Sequence, residues 1–270
     1  MPEGDTIWRV ADRLRPALVG HRLVRFEAAR LSGGPRPRPG DLIESVEAQG
    51  KHLLIRFERG VTLQTHLRMT GAWHLYRRGE RWRKPVHLAR AVIEADSGWV
   101  AVCFAAPVVR TFVDAPGSGP GPTAHLGPDL CQPQIDLDAV VERVATLSEP
   151  DELICDVLLD QRVAAGIGNV YKSEVLWACR VDPRTPVAEV TVEDRRLLYT
   201  AAHRLLRANL GDGPRVTYPG APGGVAVYGR RGRPCPRCGT SIQRQLLGHL
   251  ARSTYWCPRC QPGAGSRDQQ

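Results

Sequence analysis

The first residues of the chain are of types that could perform covalent chemistry. Removal of Met1 would leave Pro2 with a free secondary amine, and the carboxylic acid of Glu3 follows directly. A terminal α-amine has a pKa of about 7.7 to 8, so a useful fraction is unprotonated and nucleophilic at neutral pH. Proline after methionine is common, however. This pair alone is a weak indication of catalysis, and the other motifs must support it.

Near the other end of the sequence, the cysteine spacing is that of a zinc site. Two Cys-x2-Cys pairs, eighteen residues apart, are formed by Cys235, Cys238, Cys257 and Cys260. Two such pairs supply four thiolates to one tetrahedral ion, and a closed set of four protein ligands is typical of structural zinc. We therefore predict a zinc ribbon over 213–261 with one structural Zn²⁺ and no organic cofactor, followed by a disordered tail at 262–270. Buried free thiols are expected for the scattered Cys103, Cys131, Cys155 and Cys179.

The sequence is basic, and its positive charge is concentrated around the zinc cysteines. The chain has a formal net charge of +9, and the stretch 213–260 holds eight arginines and no acidic residue. This distribution predicts a polyanionic partner, above all a nucleic acid. No apolar run approaches the roughly 20 residues of a membrane span, and the charged N-terminus does not fit a signal peptide. We expect a cytoplasmic, nucleoid-associated protein of prokaryotic type, without membrane contact.

The first 113 residues predict a β-domain with a leading helix. Apolar residues at three- and four-residue spacing indicate an amphipathic helix from Asp5 to about Arg15. From residue 21 onwards, eight short segments rich in β-branched and aromatic residues are separated by Gly, Pro and charged turns, which is typical of a β-sandwich. The Gly- and Pro-rich segment 31–40 is predicted to be a loop.

A linker precedes a region of helical periodicity. The stretch 114–130 contains the run APGSGPGP, which cannot form a core, so we expect a hinge between domains there. Residues 131–212 predict a small helical bundle. Within it, Ser148 with Asp151 indicates a capping box for a helix that ends near Leu159.

A second motif lies in this helical region. In the segment QRVAAGIGNVYKSE, Gly166 and Gly168 interrupt one helix and open the next, which places Asn169 at a new helix N-terminus. Backbone N–H groups that face outward at such a terminus can cradle a phosphate. An ordinary helical hairpin with a glycine turn explains these residues equally well, so the motif alone does not identify a phosphate site.

Taken together, the motifs resemble one enzyme family. MPEG, GKHLL at 50–54, HLRMTGAW at 66–73, LGPDL, DQRVAAGIGNVYKSEVL and RSTYWCPRCQ follow the order of the formamidopyrimidine-DNA glycosylase and endonuclease VIII family, over residues 1–261. The start MPEGDTIWR is similar to the endonuclease VIII branch, whereas the oxidised-purine branch usually begins MPELPEVE. The resemblance implies a multidomain α and β fold: an N-terminal β-sandwich with a leading helix, a helix-two-turn-helix DNA-binding domain over 131–212 and a C-terminal zinc ribbon.

The resemblance also implies an activity. A monomeric DNA glycosylase and AP lyase of base excision repair would remove oxidised bases from damaged DNA, with pyrimidines preferred, and then cut the strand. The amine of Pro2 would form a Schiff base with C1′ of the damaged nucleotide, and Glu3 would transfer the proton. Lys51 matches the lysine that contacts phosphate and assists β-elimination. Arg252 matches the ribbon arginine associated with phosphate binding and δ-elimination, and Asn169 matches the phosphate-binding asparagine.

Further residues match those that hold DNA around an extruded lesion. The loop with His66, Arg68 and Met69 matches the region that supplies the intercalating wedge, and methionine is a suitable filler because it is unbranched and apolar. Glu174 lies in the matched helix-two-turn-helix block, where support of the DNA site and an ordinary surface or paired carboxylate are about equally expected. One departure concerns the turn 104–107, which lacks the wedge arginine of the oxidised-purine branch.

Other functions stay open at this point. One is oxidised-purine specificity, although the short loop 213–224 offers little to cap a bulky purine. A non-catalytic zinc-dependent DNA-binding protein or an RNA-associated protein would also explain the basic charge, the ribbon and the two-turn motif. Such a protein has no physical need to combine Pro2, Glu3 and Lys51, so we rank the enzyme first.

Overall fold

Two units make up the protein. The computed structural model describes residues 2–114 and 121–263. One unit contains Pro2 and Thr6–His125, and the other contains Glu3–Asp5 and the residues from Leu126 onwards. The division falls inside the stretch for which the composition predicts a hinge. Met1, the central part of that stretch and the tail from 264 lie outside the described residues.

Among the residues that the structure describes, nine strands and the leading helix, from its third residue onwards, build the first unit. The elements are α1 (Gly4–Leu18), β1 (Leu23–Glu27), β2 (Ser32–Gly33), β3 (Ile43–Gln49), β4 (His52–Phe57), β5 (Val61–His66), β6 (Ala72–Arg77), β7 (Ala89–Ala95), β8 (Trp99–Phe104) and β9 (Val108–Val113). They form a four-stranded sheet in the order β1-β7-β8-β6 and a five-stranded sheet in the order β2-β9-β5-β4-β3. This confirms the predicted β-sandwich with a leading helix.

The core of the first unit lies where inward residues of the strands meet one face of α1. Ile7 and Leu14 of α1 pack in one apolar cluster with residues of both sheets, such as Ile55 and Ala101. Phe104 is fully buried in a second, smaller cluster with Tyr76 and neighbouring valines. The turn 104–107 therefore keeps its aromatic side chain inside the fold.

One segment of the first unit departs from the prediction. The stretch 31–40, predicted to be loop throughout, contains β2, which pairs in parallel with β9. Gly33 makes this pairing possible, because its φ is +92° and a Cβ at this position would lie 2.2 Å from the carbonyl oxygen of Thr111. The composition of the segment predicts a loop because it gives no information on this close approach of the Gly33 backbone to that of Thr111.

Within the described part of the second unit, which ends at residue 263, there are four α-helices and a two-stranded ribbon. They are α2 (Leu137–Leu147), α3 (Ile154–Val157), α4 (Asn169–Ala178), α5 (Val192–Arg207), β10 (Gln243–Leu247) and β11 (Arg252–Trp256). The helix predicted from Ser148 to Leu159 is wrong in extent, because only α3 is helical. Leu153 is extended there, since it forms a β-bridge with Pro186, and this pairing overrides the local capping signal. No helix among the described residues is long and apolar enough to cross a bilayer.

The helical and ribbon segments of the second unit share an apolar core. Trp177 of α4 packs with Val227, Ile242 and the zinc-site residue Cys257. The predicted boundary at 212 and 213 therefore falls between segments that pack on each other. Burial raises the pKa of the scattered cysteine thiols, as predicted for buried free thiols, with Cys179 only partly covered; the four are Cys103, Cys131, Cys155 and Cys179.

Candidate active site

The carboxylate of Glu3 is bound at the N-terminus of α4. Its two oxygens accept hydrogen bonds from the backbone N–H groups of Gly168 at 3.0 Å, Val170 at 2.8 Å and Tyr171 at 3.2 Å. Glu3 is 0% exposed. A helix N-terminus favours an anion through its partial positive charge and its unpaired N–H groups. Glu3 therefore has a fixed position and orientation, and Pro2, which is half-buried, precedes it by one peptide bond.

Gly4 and Gly168 allow the start of the chain to approach the N-terminus of α4 closely, since a Cβ on Gly4 would lie 2.9 Å from Cα of Gly166. A Cβ on Gly168 would lie 2.4 Å from Cδ and 2.5 Å from Cγ of Glu3. Gly4 donates its N–H to the carbonyl oxygen of Gly166 at 3.0 Å, and Gly166 has a φ of +115°. Phosphate was one of the occupants that the sequence suggested for these backbone amides. They bind the protein's own carboxylate instead, because the glycines let residues 3 and 4 approach closely.

Asn169 belongs to a buried polar network that joins α4 to the ribbon. Its side-chain nitrogen donates to the carbonyl oxygen of Ser253 at 2.7 Å. Lys172 donates to Oδ1 of Asn169 at 2.7 Å and to Oγ1 of Thr254 at 2.8 Å. These contacts fix which end of the amide group faces β11. An amide nitrogen carries two N–H groups, so a phosphate oxygen can accept the second one.

Sequence reasoning missed Lys172. It is 1% exposed, and burial lowers its pKa to about 8. The available signal was its rarity, since it is one of three lysines against 34 arginines in the chain. A buried lysine that retains two side-chain partners is a polar anchor between α4 and β11.

The substitution Lys172→Met should change how the stability of the protein depends on pH. The pKa is lowered from 10.5 to about 8 in the folded protein, so the unfolded chain binds more protons between these values. The free energy of unfolding of the wild type, relative to the variant, should therefore rise with pH over this range, by at most about 1.4 kcal/mol per pH unit. Denaturant unfolding of both proteins from pH 7 to 10.5 measures this. A difference that is constant across the range would contradict the burial of a charged lysine.

Arg252 lies next to this network. It is the first residue of β11 and is exposed, and the residue after it, Ser253, is the one whose carbonyl oxygen accepts from Asn169. Within the second unit, the structure therefore brings Glu3, Asn169 and Arg252 to one region at the start of α4.

Glu174 has partners inside the protein. It is 2% exposed, and its carboxylate accepts from the hydroxyl of Thr217 at 2.5 Å and from three backbone N–H groups of 226–228 at 2.7 to 2.9 Å. Among the alternatives left open by the sequence, this geometry is that of a buried, paired carboxylate. Its effect is to hold the loop that leads from α5 to the ribbon.

A pair of opposite charges, which sequence reasoning also missed, holds the same loop at its start. The guanidinium group of Arg215 donates to both oxygens of Asp5, at 2.8 and 2.6 Å, and lies 5.0 Å from the ring centre of Tyr171. Asp5 is 0% exposed. The loop after α5 is thereby tied to the first turn of α1.

In the first unit, Lys51 lies beside two histidines that are neutral at pH 7. His52 of β4 is paired with His66 of β5, and their ring centres are 4.8 Å apart. Burial lowers the pKa of His52 to about 3 and that of His66 to about 4, and the charge of Lys51 contributes to both shifts. Arg110 donates to Gln64, whose amide contacts His52. The positive charges of Lys51 and Arg110 in one group suit an anionic ligand.

The loop after β5 exposes the side chain predicted to be a wedge. The N–H of Gly71 donates to the carbonyl oxygen of Leu67 at 2.8 Å, which closes a tight turn. Arg68 has a φ of +46°, and its N–H donates to Nδ1 of His66 at 3.2 Å. Met69, at the tip, is 68% exposed. A large apolar side chain is thus presented outward on a turn with fixed geometry.

The four ribbon cysteines are arranged as ligands of one metal ion. Their sulfur atoms all lie within 4.8 Å of one another, with 3.9 Å between Cys235 and Cys260 and 3.4 Å between Cys238 and Cys257. Thiolates about 2.3 Å from one tetrahedral Zn²⁺ are about 3.8 Å apart, so the set fits zinc. The indole N–H of Trp177 donates to the sulfur of Cys235 at 3.4 Å, which joins the site to α4.

Comparison with known proteins assigns these features to one family. Residues 1–107 match the formamidopyrimidine-DNA glycosylase N-terminal domain, residues 126–217 the H2TH domain of that glycosylase, and residues 232–263 a zinc finger found in FPG and IleRS. A probable endonuclease 8 of Streptomyces coelicolor is 39% identical, with 99% of this chain and 96% of the relative covered. A DNA-(apurinic or apyrimidinic site) lyase of Mycolicibacterium smegmatis is 37% identical, with 97% and 99% covered.

Relatives and solved structures from the oxidised-purine branch also match. A formamidopyrimidine-DNA glycosylase of Thermus thermophilus is 32% identical over 97% of this chain and 98% of the relative. The structure of the Thermus thermophilus protein has a TM-score of 0.74 with 28% identity, and covers 96% of this chain and 98% of that one. The Lactococcus lactis glycosylase, bound to DNA with an AP site, has a TM-score of 0.81 with 22% identity, and covers 96% and 99%. The chain belongs to the formamidopyrimidine-DNA glycosylase and endonuclease VIII family of bifunctional DNA glycosylases and AP lyases.

Proposed function

We propose that this protein removes oxidised pyrimidines from DNA and then cleaves the strand by β- and δ-elimination, with Pro2 as the nucleophile. The observation that carries the proposal is the buried carboxylate of Glu3, which three backbone N–H groups hold in place directly after Pro2. A positioned acid beside a terminal amine is the arrangement that Schiff-base chemistry requires. The proposal includes action as a monomer on nucleoid DNA in the cytoplasm.

The chemical steps follow from these groups. The nitrogen of Pro2 forms a bond to C1′ while the glycosidic bond breaks and its electron pair leaves with the base, which takes up a proton. The nitrogen of Pro2 loses its proton, and Glu3 transfers a proton to O4′ as the sugar ring opens to an iminium ion. Loss of a C2′ proton expels the 3′ phosphate, which is β-elimination. A further proton loss expels the 5′ phosphate, which is δ-elimination.

The remaining residues hold the substrate. Lys51 in the first unit binds phosphate and assists β-elimination. The imidazole rings beside it are neutral, so they do not repel the phosphate. Arg252 and the second amide N–H of Asn169 bind phosphate from the second unit. The base must leave the stack before C1′ is accessible, at a cost of a few kcal/mol. Met69, exposed on its turn, fills the gap, and Arg68 contacts the flanking backbone.

Pyrimidine preference is supported by the loop after α5. Three buried side chains hold this loop: Asp5 binds the guanidinium group of Arg215, Asn209 exchanges hydrogen bonds with the backbone of Val216, and Glu174 binds the backbone N–H groups of 226–228. A loop held to the protein in this way cannot easily rearrange to cover a bulky purine. The relatives named endonuclease 8 in Streptomyces and Mycobacterium, at 36 to 39% identity, support the same preference. If pyrimidines are preferred, the protein should excise 5-hydroxyuracil faster than 8-oxoguanine. The reverse order would indicate oxidised-purine specificity.

Borohydride trapping tests the nucleophile. The wild-type protein, incubated with a duplex that contains an abasic site or 5-hydroxyuracil, should give a covalent adduct after reduction. A chain whose N-terminus is blocked by an extension should give none, because its amine is an amide. Both proteins must carry zinc and bind the uncleaved duplex. Trapping by the blocked chain would identify another amine, and failure of the wild type to trap would refute the Schiff base.

A further inference from the structure

A buried aspartate holds the turn of the ribbon hairpin that precedes Arg252. Residues 248–251 connect β10 to β11, and the N–H of Ala251 closes the turn on the carbonyl oxygen of Gly248 at 3.0 Å. Asp156 of α3 is 5% exposed. Its Oδ2 accepts from the backbone N–H of His249 at 2.9 Å and lies 3.0 Å from the imidazole Nδ1 of His249.

The contact is tight enough to require glycine in the turn. A Cβ on Gly248 would lie 2.0 Å from both carboxylate oxygens of Asp156. Gly248 has a φ of +74°, and Ala251, directly before Arg252, has a φ of +47°. Both residues are therefore in the left-handed region, which costs free energy for alanine. A turn with this geometry persists because its surroundings hold it, and Asp156 is the side chain in contact with it.

Arg252 is thus bracketed by two anchors. The residues after it are held by α4, since Asn169 binds the carbonyl oxygen of Ser253 and Lys172 binds Thr254. The residues before it are held by α3, through Asp156. Removal of the first anchor would disturb Asn169 itself, whereas removal of the second acts directly on the turn that leads into Arg252.

Other charged groups face this contact. Lys172 lies within electrostatic range of Asp156, and Glu152 within range of both Asp156 and His249. Asp156 therefore faces two nitrogen groups, the imidazole of His249 in direct contact and the ammonium of Lys172 within electrostatic range. The ribbon also has its own zinc ligands and packs on Trp177, so the hairpin does not depend on Asp156 for its existence.

We propose that Asp156 is a positioning residue for Arg252: its buried carboxylate, bound to His249, sets the place of the arginine that serves δ-elimination. The inference rests on the proposed function, because Arg252 has a chemical role only there. Excision and β-elimination use Pro2, Glu3 and Lys51. Loss of the Asp156 contact should therefore change the second elimination more than the first.

The test compares Asp156→Asn with Asp151→Asn, a control at an exposed carboxylate five positions earlier in the same segment. Single-turnover reactions on a duplex with an abasic site give the ratio of δ- to β-elimination product. We expect Asp156→Asn to lower this ratio about tenfold, as for loss of a charge-assisted hydrogen bond, and Asp151→Asn to leave it unchanged. The ratio is internal to each reaction, so a fraction of inactive protein does not alter it.

Two further variants separate positioning from general damage. Gly248→Ala pushes the turn away from Asp156 and should lower the ratio as Asp156→Asn does. His249→Ala retains the backbone N–H and should have a smaller effect. Hydrogen exchange at the His249 amide should accelerate in Asp156→Asn, with zinc content unchanged.

The outcomes of this test are distinct from those of the proposed function. If the wild type neither traps nor cleaves, the proposed function fails and the ratio does not exist. If the wild type cleaves, an unchanged ratio in Asp156→Asn and Gly248→Ala would overturn the positioning role. Equal loss of both eliminations in these variants would overturn it as well, because the contact would then support the whole site.

Discussion

Gly168→Ala is expected to reduce base excision by about 10²-fold or more, as for loss of a positioned acid, while the fold and DNA binding are retained. The added methyl group would lie 2.4 to 2.7 Å from Cδ, Cγ and Oε1 of Glu3, so the carboxylate must leave the N–H groups at the start of α4. The backbone itself tolerates alanine, because Gly168 has a φ of −121°. Single-turnover excision of 5-hydroxyuracil measures the loss.

A matched glycine provides the control. A Cβ on Gly211 would meet no atom of another part of the described protein within 4 Å, so Gly211→Ala should excise at the wild-type rate. Binding to a duplex with a non-cleavable abasic analogue should be the same for both variants within about threefold, since neither change removes a phosphate contact. Wild-type excision by Gly168→Ala would show that the bound position of Glu3 is not the active one.

Removal of zinc is expected to abolish excision and strand cleavage together. The apolar core of the ribbon is small, consisting of Ile242 and a few neighbours that pack on Trp177 of α4. In zinc fingers the metal typically contributes about 10 to 16 kcal/mol of binding free energy, which is also folding free energy. Without it, the hairpin should unfold, and Arg252 and the anchor for Asn169 on β11 should be lost.

Three measurements check this expectation. Metal analysis should find one zinc ion per chain. Chelation should accelerate hydrogen exchange in the ribbon, with residues 6–113 unaffected because they form a separate unit with its own core. Activity should return when zinc is added back. Full activity of a chain shown to lack zinc would contradict a structural role of the metal in this enzyme.

The candidate site illustrates what motif spacing can and cannot determine. The cysteine pairs predicted the metal site correctly because ligand spacing is local, and each pair supplies two sulfur atoms within one turn. The two-turn glycines predicted a helix N-terminus correctly but suggested the wrong occupant. Which anion reaches the amides of α4 depends on a residue 165 positions away, Glu3, and no local pattern contains that information.

The buried charges follow the same rule. Lys172, Asp156 and Arg215 look like ordinary surface residues in the sequence, since each type is usually exposed. Only the tertiary structure shows that they are covered and paired, with Asn169, His249 and Asp5 respectively. Burial of a charge requires partners from distant segments of the chain. These pairs can therefore be recognised only in the folded protein.

By itself, the sequence determined the basic charge, the zinc site and the β-sandwich with its leading helix, which are encoded in residue type, periodicity and short spacings. Its resemblance to one family added the helix-two-turn-helix and the enzyme class. The tertiary structure decided where the carboxylate of Glu3 is held. It places the carboxylate of Glu3 against α4 because Gly168 has no side chain, and hydrogen bonds over long sequence separation, rather than local propensity, fix that position.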